Sequence, residues 1–161
     1  MNDNIPSALL VSIKKLPSVH VAYIEYKVDD EQSNMHDKIG ECFQRVQAWL
    51  RERGYDPLTQ LTIGAIKTVN GQLASYDCCI QVSEKVQSGS EGVDIKELPS
   101  GQYAVLSIQK DPTIIGNSIG SFYQEYVPQN HIDIDGTRPT LEIYYKSTME
   151  YCVPILQPGI D

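Results

Sequence analysis

Ile13-Lys14-Lys15-Leu16-Pro17-Ser18 returns 82 residues later as Ile95-Lys96-Glu97-Leu98-Pro99-Ser100. The match continues through Ala22/Ala104 and Ile24/Leu106, so the chain carries an internal repeat. Each copy reads as a short strand, a Leu-Pro-Ser turn and a longer strand rich in β-branched and aromatic residues, over 19–28 and 102–109. A helix follows in both. Met35, Ile39, Cys42, Phe43, Val46, Trp49 and Leu50 recur at helical period, with Ser33 as the expected N-cap and Gly54 and Pro57 as the stop. In the second copy Asp111-Pro112 opens a helix whose stripe is Ile114, Ile115, Ile119, Phe122, Tyr123 and Tyr126, closed by Pro128. Gly116 and Gly120, one turn apart, weaken that helix by about 1 kcal/mol each relative to Ala; they imply close packing or room for something against that face.

Further strands are expected at 61–68 and 76–82, joined by the hairpin turn Asn70-Gly71, and at 141–146 and 151–155. The order ββαββ occurs twice, which predicts an α+β fold: a duplicated module with two helices on an antiparallel sheet. The 161 residues suffice for one domain over 1–161, with halves 9–83 and 93–156 joined by a flexible polar linker at 84–92.

Composition narrows the function. Thirteen Lys and Arg against twenty-one Asp and Glu give a net charge of −8, which argues against a nucleic-acid surface. No run of eighteen apolar residues predicts a membrane span, and Met1-Asn2-Asp3-Asn4-Ile5-Pro6 has no signal-peptide character. Cys42, Cys78, Cys79 and Cys152 show no CxxC spacing and read as free core thiols of a cytoplasmic protein; His20, His36 and His131 are scattered, so neither metal nor cofactor is expected. Ten Tyr against two Phe and one Trp suit a wet, partly apolar cavity.

Leu141-Glu142-Ile143-Tyr144-Tyr145 is the stretch that points to chemistry. Alternation sends Glu142 and Tyr144 to one face, and Leu141, Ile143 and Tyr145 to the other. In Tyr76-Asp77-Cys78-Cys79-Ile80, Asp77 is expected to hold the position of Glu142 in the other half. An acid in an apolar strand either faces solvent or points into a cavity, where a cation or a Tyr hydroxyl must compensate its burial.

These motifs, with Leu98-Pro99-Ser100-Gly101-Gln102-Tyr103-Ala104-Val105, Pro139-Thr140-Leu141-Glu142-Ile143-Tyr144 and Glu150-Tyr151-Cys152-Val153-Pro154-Ile155, resemble the GyrI-like effector-binding domain over residues 9–156. That domain is the ligand-binding part of BmrR- and Rob-type regulators. It also stands alone, as in the gyrase inhibitor and in proteins of mobile gene cassettes. The resemblance implies a concave groove whose strand glutamate, here Glu142, meets a lipophilic or aromatic cation. Tyr144, Trp49, Tyr23, Tyr123, Tyr126 and Asp77 are the candidate surroundings. It implies no catalytic residue and no cofactor for a sensing or sequestering member; the alternatives are a hydrolase of strained electrophiles, with Glu142 as base and Tyr144 as acid, and a gyrase-type interaction protein. About ten residues precede the first strand, so direct DNA binding is not expected, and regulation would need a protein partner.

Overall fold

Neither Pro17-Ser18 nor Pro99-Ser100 contains a residue with positive φ, which a two-residue hairpin turn requires. The chain therefore crosses over at these corners instead of folding back. The computed structural model describes residues 9–28 and 34–156. In it β1 (Val11–Leu16) pairs with β6 (Gly101–Gln109), while β5 (Asp94–Leu98) pairs with β2 (Val19–Lys27). Each half lends its first strand to the other half's edge. The registers obey the repeat: Ile13 lies opposite Ala104, and Ile95 opposite Ala22.

With β3 (Thr62–Val69), β4 (Gln72–Gln81), β7 (Thr140–Tyr144) and β8 (Thr148–Pro154), one eight-stranded antiparallel sheet results, in the order β1-β6-β8-β7-β3-β4-β2-β5. The expected α+β duplication is present. Asn70 and Gly71, both at positive φ, make the β3–β4 turn. At the centre β3 meets β7 with Gly64 opposite Glu142, Ile63 opposite Ile143 and Ala65 opposite Leu141, so the pseudo-two-fold passes between Gly64 and Glu142.

Both faces of the sheet are covered. One carries Val21, Ile63, Cys79, Tyr103, Leu141 and Cys152; Leu16 and Leu98, from the two edge strands, pack into this same cluster, so the sheet curls over it. The opposite face carries the helices. α1 (Met35–Glu52) lies on β2 and β4, and α2 (Pro112–Ser121) on β6, which leaves β3, β7 and β8 as the floor of a groove between them.

α1 buries only its second half, through Val46, Trp49 and Leu50. It ends at Gly54 (φ 83), where Gly54 N–H donates to Arg51 O and Tyr55 N–H to Leu50 O, satisfying two terminal carbonyls. Its first residue follows Asn34, held in the left-handed region without a side-chain cap; Ser33 lies outside the described residues. α2 is capped by Asp111, whose Oδ1 accepts from Thr113 and Ile114 N–H at 2.9 and 3.2 Å. A π turn over Phe122–Tyr126 follows, and the last turn runs through Pro128 to Gln129. The wider turn relieves the missing proline donor, so the helix does not stop at Pro128 as expected. Gly116 and Gly120 have no neighbour that a Cβ would meet, so close packing does not explain them.

The connection at 84–92 differs from a free linker. Val86 is buried with its carbonyl 2.6 Å from His20 Nε2, and Ser90 Oγ accepts from Trp49 Nε1 at 3.0 Å and Arg53 Nη2 at 2.7 Å. No helix among the described residues is long and apolar enough to cross a membrane.

Candidate functional site

The loosely packed first half of α1 stands over β3, β4 and β7, and a cavity of about 610 Å³ opens beneath it. Met35, His36, Ile39, Gly40 and Phe43 form its helix wall. Thr62, Ile66, Leu73, Tyr76, Glu142 and Tyr144 supply the rest. Apart from Glu142 and the hydroxyl-bearing and imidazole groups, the lining is apolar.

Glu142 reaches this cavity through strand alternation, since its neighbours Leu141 and Ile143 are buried in the core on the other face. Two phenols converge on one of its oxygens. Tyr76 Oη donates to Oε1 at 2.7 Å and Tyr144 Oη donates to the same atom at 2.5 Å, the two hydroxyls being 3.0 Å apart. Phe43 stands edge-on to both rings, with centroids at 6.1 and 6.5 Å. Burial, then the adjacent carboxylate charge, pushes both phenols well above their ordinary range, so they remain protonated donors. Among the described residues no Lys, Arg or His forms an ion pair with Glu142. Glu142 thus lines an aromatic-walled cavity, and its second oxygen has no hydrogen bond or ion pair with the described residues.

Gly64 makes this geometry fit. A Cβ there would fall 1.9 Å from Tyr76 Oη and 2.2 Å from its Cζ, so the Tyr76 ring lies directly over the bare backbone of β3. A glycine within the β-rich run 61–68 signals such a close approach, though neither Gly64 nor Tyr76 is among the candidates that the sequence singles out.

The structure brings Glu142 and Tyr144 together and places the other candidates elsewhere. Asp77 is the clearest correction. Ala22 pairs with Ile80 and its repeat mate Ala104 pairs with Val153, so β4 corresponds to β8 and Asp77 to Glu150. The counterpart of Glu142 is Gly64. Asp77 sits on the opposite face, 1% exposed, with Oδ2 ion-paired to Lys96. Tyr23 lies on that face too, its ring 4.0 Å from Lys96 Nζ. Trp49 belongs to the buried half of α1, under the Arg53 guanidinium at 3.9 Å. Tyr126 stacks on the buried Phe122 at 5.5 Å. Tyr123 bonds the Tyr151 hydroxyl at 3.1 Å, in a second cavity. No three His, Cys, Asp or Glu among the described residues gather to hold a metal.

A duplicated α+β module with a carboxylate at the floor of a groove defines a small-molecule binding domain, and the comparisons agree. Residues 10–156 match the model of the GyrI-like small molecule binding domain, and the chain belongs to that family. None of the curated proteins matches the sequence. Among solved structures, the C-terminal domain of EcmrR superposes with a TM-score of 0.68 at 12% identity, covering 94% of this chain and 99% of that one. The integron cassette protein VCH_CASS2, from the mobile metagenome of Vibrio cholerae, gives 0.64 at 14%, covering 92% and 97%. SAV2435, solved bound to tetraphenylphosphonium, gives 0.63 at 18%, covering 91% and 93%. At these identities the likeness speaks for the fold.

Proposed function

We propose that this chain is a receptor for lipophilic aromatic cations, which it holds in the cavity under α1 without a chemical step. The observation that carries the reading is Glu142: a carboxylate lining an apolar cavity, with one oxygen held by two phenols and no cation among the described residues paired with it. A positive charge beside that carboxylate would offset the cost of keeping it there. The Phe43, Tyr76 and Tyr144 rings would add cation–π attraction of about 0.5–2 kcal/mol each, which is undemanding in direction and suits a delocalised charge. Tetraphenylphosphonium in SAV2435 is a ligand of this chemistry on the same fold. Both phenol protons are already directed at Oε1, so neither is poised to protonate a leaving group, which favours binding over hydrolysis.

The test compares two ligands of similar shape by calorimetry. Tetraphenylphosphonium is expected to bind one per chain, and uncharged triphenylphosphine oxide at least about tenfold more weakly, a difference of about 1.4 kcal/mol. Equal affinities would remove the charge from the account.

A further inference from the structure

A second cavity, of about 650 Å³, opens on the same side of the sheet between the β3–β4 hairpin, the 134–140 segment and the helix that follows β6. It shares Ile66 with the first, and its floor residue Tyr151 is the cross-strand partner of Glu142. The two cavities therefore adjoin. Their chemistry is opposite.

The Arg138 and Asp135 charges of the second cavity offset each other within the protein. Arg138 Nε donates to Asp135 Oδ2 at 2.8 Å, and its Nη2 donates to the Gln102 and Ile155 carbonyls at 3.0 and 2.8 Å. Asp135 Oδ1 accepts from Thr137 N–H and Oγ1. Lys67, at the mouth, is exposed to water. The two phenols differ from the pair at Glu142 in one respect. Tyr123 and Tyr151 bond each other at 3.1 Å, which uses one proton of two, and no acceptor among the described residues takes the other. Tyr151 is 8% exposed, and burial, then its bond to Tyr123, pushes its phenol up, so the proton stays in place. Val69 and Ile134 line the same cavity with hydrocarbon that is 61% and 40% exposed.

We infer that this second cavity is a separate binding site for uncharged, largely apolar molecules that carry a hydrogen-bond acceptor such as a ketone, ester or ether oxygen, received by the spare O–H of the Tyr123–Tyr151 pair. A cavity with a donor, an internally paired carboxylate and the exposed Lys67 discriminates against the cations that the Glu142 cavity favours, so the protein holds two ligand classes side by side. The site stands whether or not the first cavity takes a cation.

Nile red, an uncharged aromatic ketone, is the probe. It is expected to bind one per chain with blue-shifted emission, in the presence of saturating tetraphenylphosphonium as in its absence. The Tyr123→Phe/Tyr151→Phe protein should bind it about five- to tenfold more weakly, the effect of one hydrogen bond. Methyl NMR of the unmodified protein fixes the location independently of how that variant folds: Val69 and Ile134 resonances should shift on adding Nile red, and Ile39 and Leu73 should not. Displacement by the cation, shifts centred on Ile39 and Leu73, undiminished binding by a folded double-Phe protein, or no binding at all would each overturn the inference.

Discussion

Alanine at position 64 will destabilise the protein by about 1–3 kcal/mol and detach Tyr76 from Glu142. Its methyl group would occupy the space of the Tyr76 phenol, 1.9 Å from Oη, and the ring can yield only by leaving the strand surface on which it lies. Gly64 has no positive φ, so the backbone itself accepts alanine. The cost is therefore a collision with one side chain, and removing that side chain should remove it. In a Tyr76→Ala background, Gly64→Ala should become neutral or stabilising, because alanine in a strand loses less conformational entropy on folding than glycine. Urea unfolding of the four proteins in this cycle reads the coupling directly. An equal cost of Gly64→Ala in both backgrounds would show that Tyr76 is not what the glycine accommodates.

Glutamine at position 142 will lower the affinity for tetraphenylphosphonium about ten- to a hundredfold, or about 1.4–2.8 kcal/mol. Two unit charges 4 Å apart attract by about 4 kcal/mol at the effective dielectric of a partly buried site, and access of water to the cavity takes part of that away. A glutamine oxygen can still accept from Tyr76 and Tyr144, so urea stability should change by less than about 1 kcal/mol. Affinity would then fall while stability holds. Added salt should weaken the wild-type complex and leave the Glu142→Gln complex nearly unchanged, since only the former contains an attraction to screen. Calorimetric titrations at low and high salt check both statements.

The repeat, the two helices, the hairpin at Asn70-Gly71 and the exposure of Glu142 and Tyr144 to one face were legible in the residues, because periodicity and turn chemistry are local. The exchange of β1 and β5 between halves was not, since strand partners depend on contacts far apart in sequence. Asp77 shows the same limit. The repeat is recognisable at 13–24 and 95–106 but fades beyond, so an acidic residue alone suggests β4 as the counterpart of β7, whereas the registers make it the counterpart of β8. Alternation could not place Tyr76 either. Cys78 and Cys79 are both fully buried, so the strand is apolar on both faces and its pattern does not say which one meets the helix. For Trp49, helical period gave the inward stripe, and only the packing of α1 separates the half that fills the core from the half that roofs the cavity. Phe43, read as part of that stripe, stands in the latter half.

If Glu142 is the counter-charge of a cation bound beneath α1, a crystal structure of the protein with tetraphenylphosphonium will show the two together. The phosphonium centre is expected within about 4–6 Å of the Glu142 carboxylate, the range in which opposite charges act strongly, with phenyl rings against Phe43, Tyr76 and Tyr144. A cation seated away from Glu142, with the cavity under α1 left to water, would contradict it.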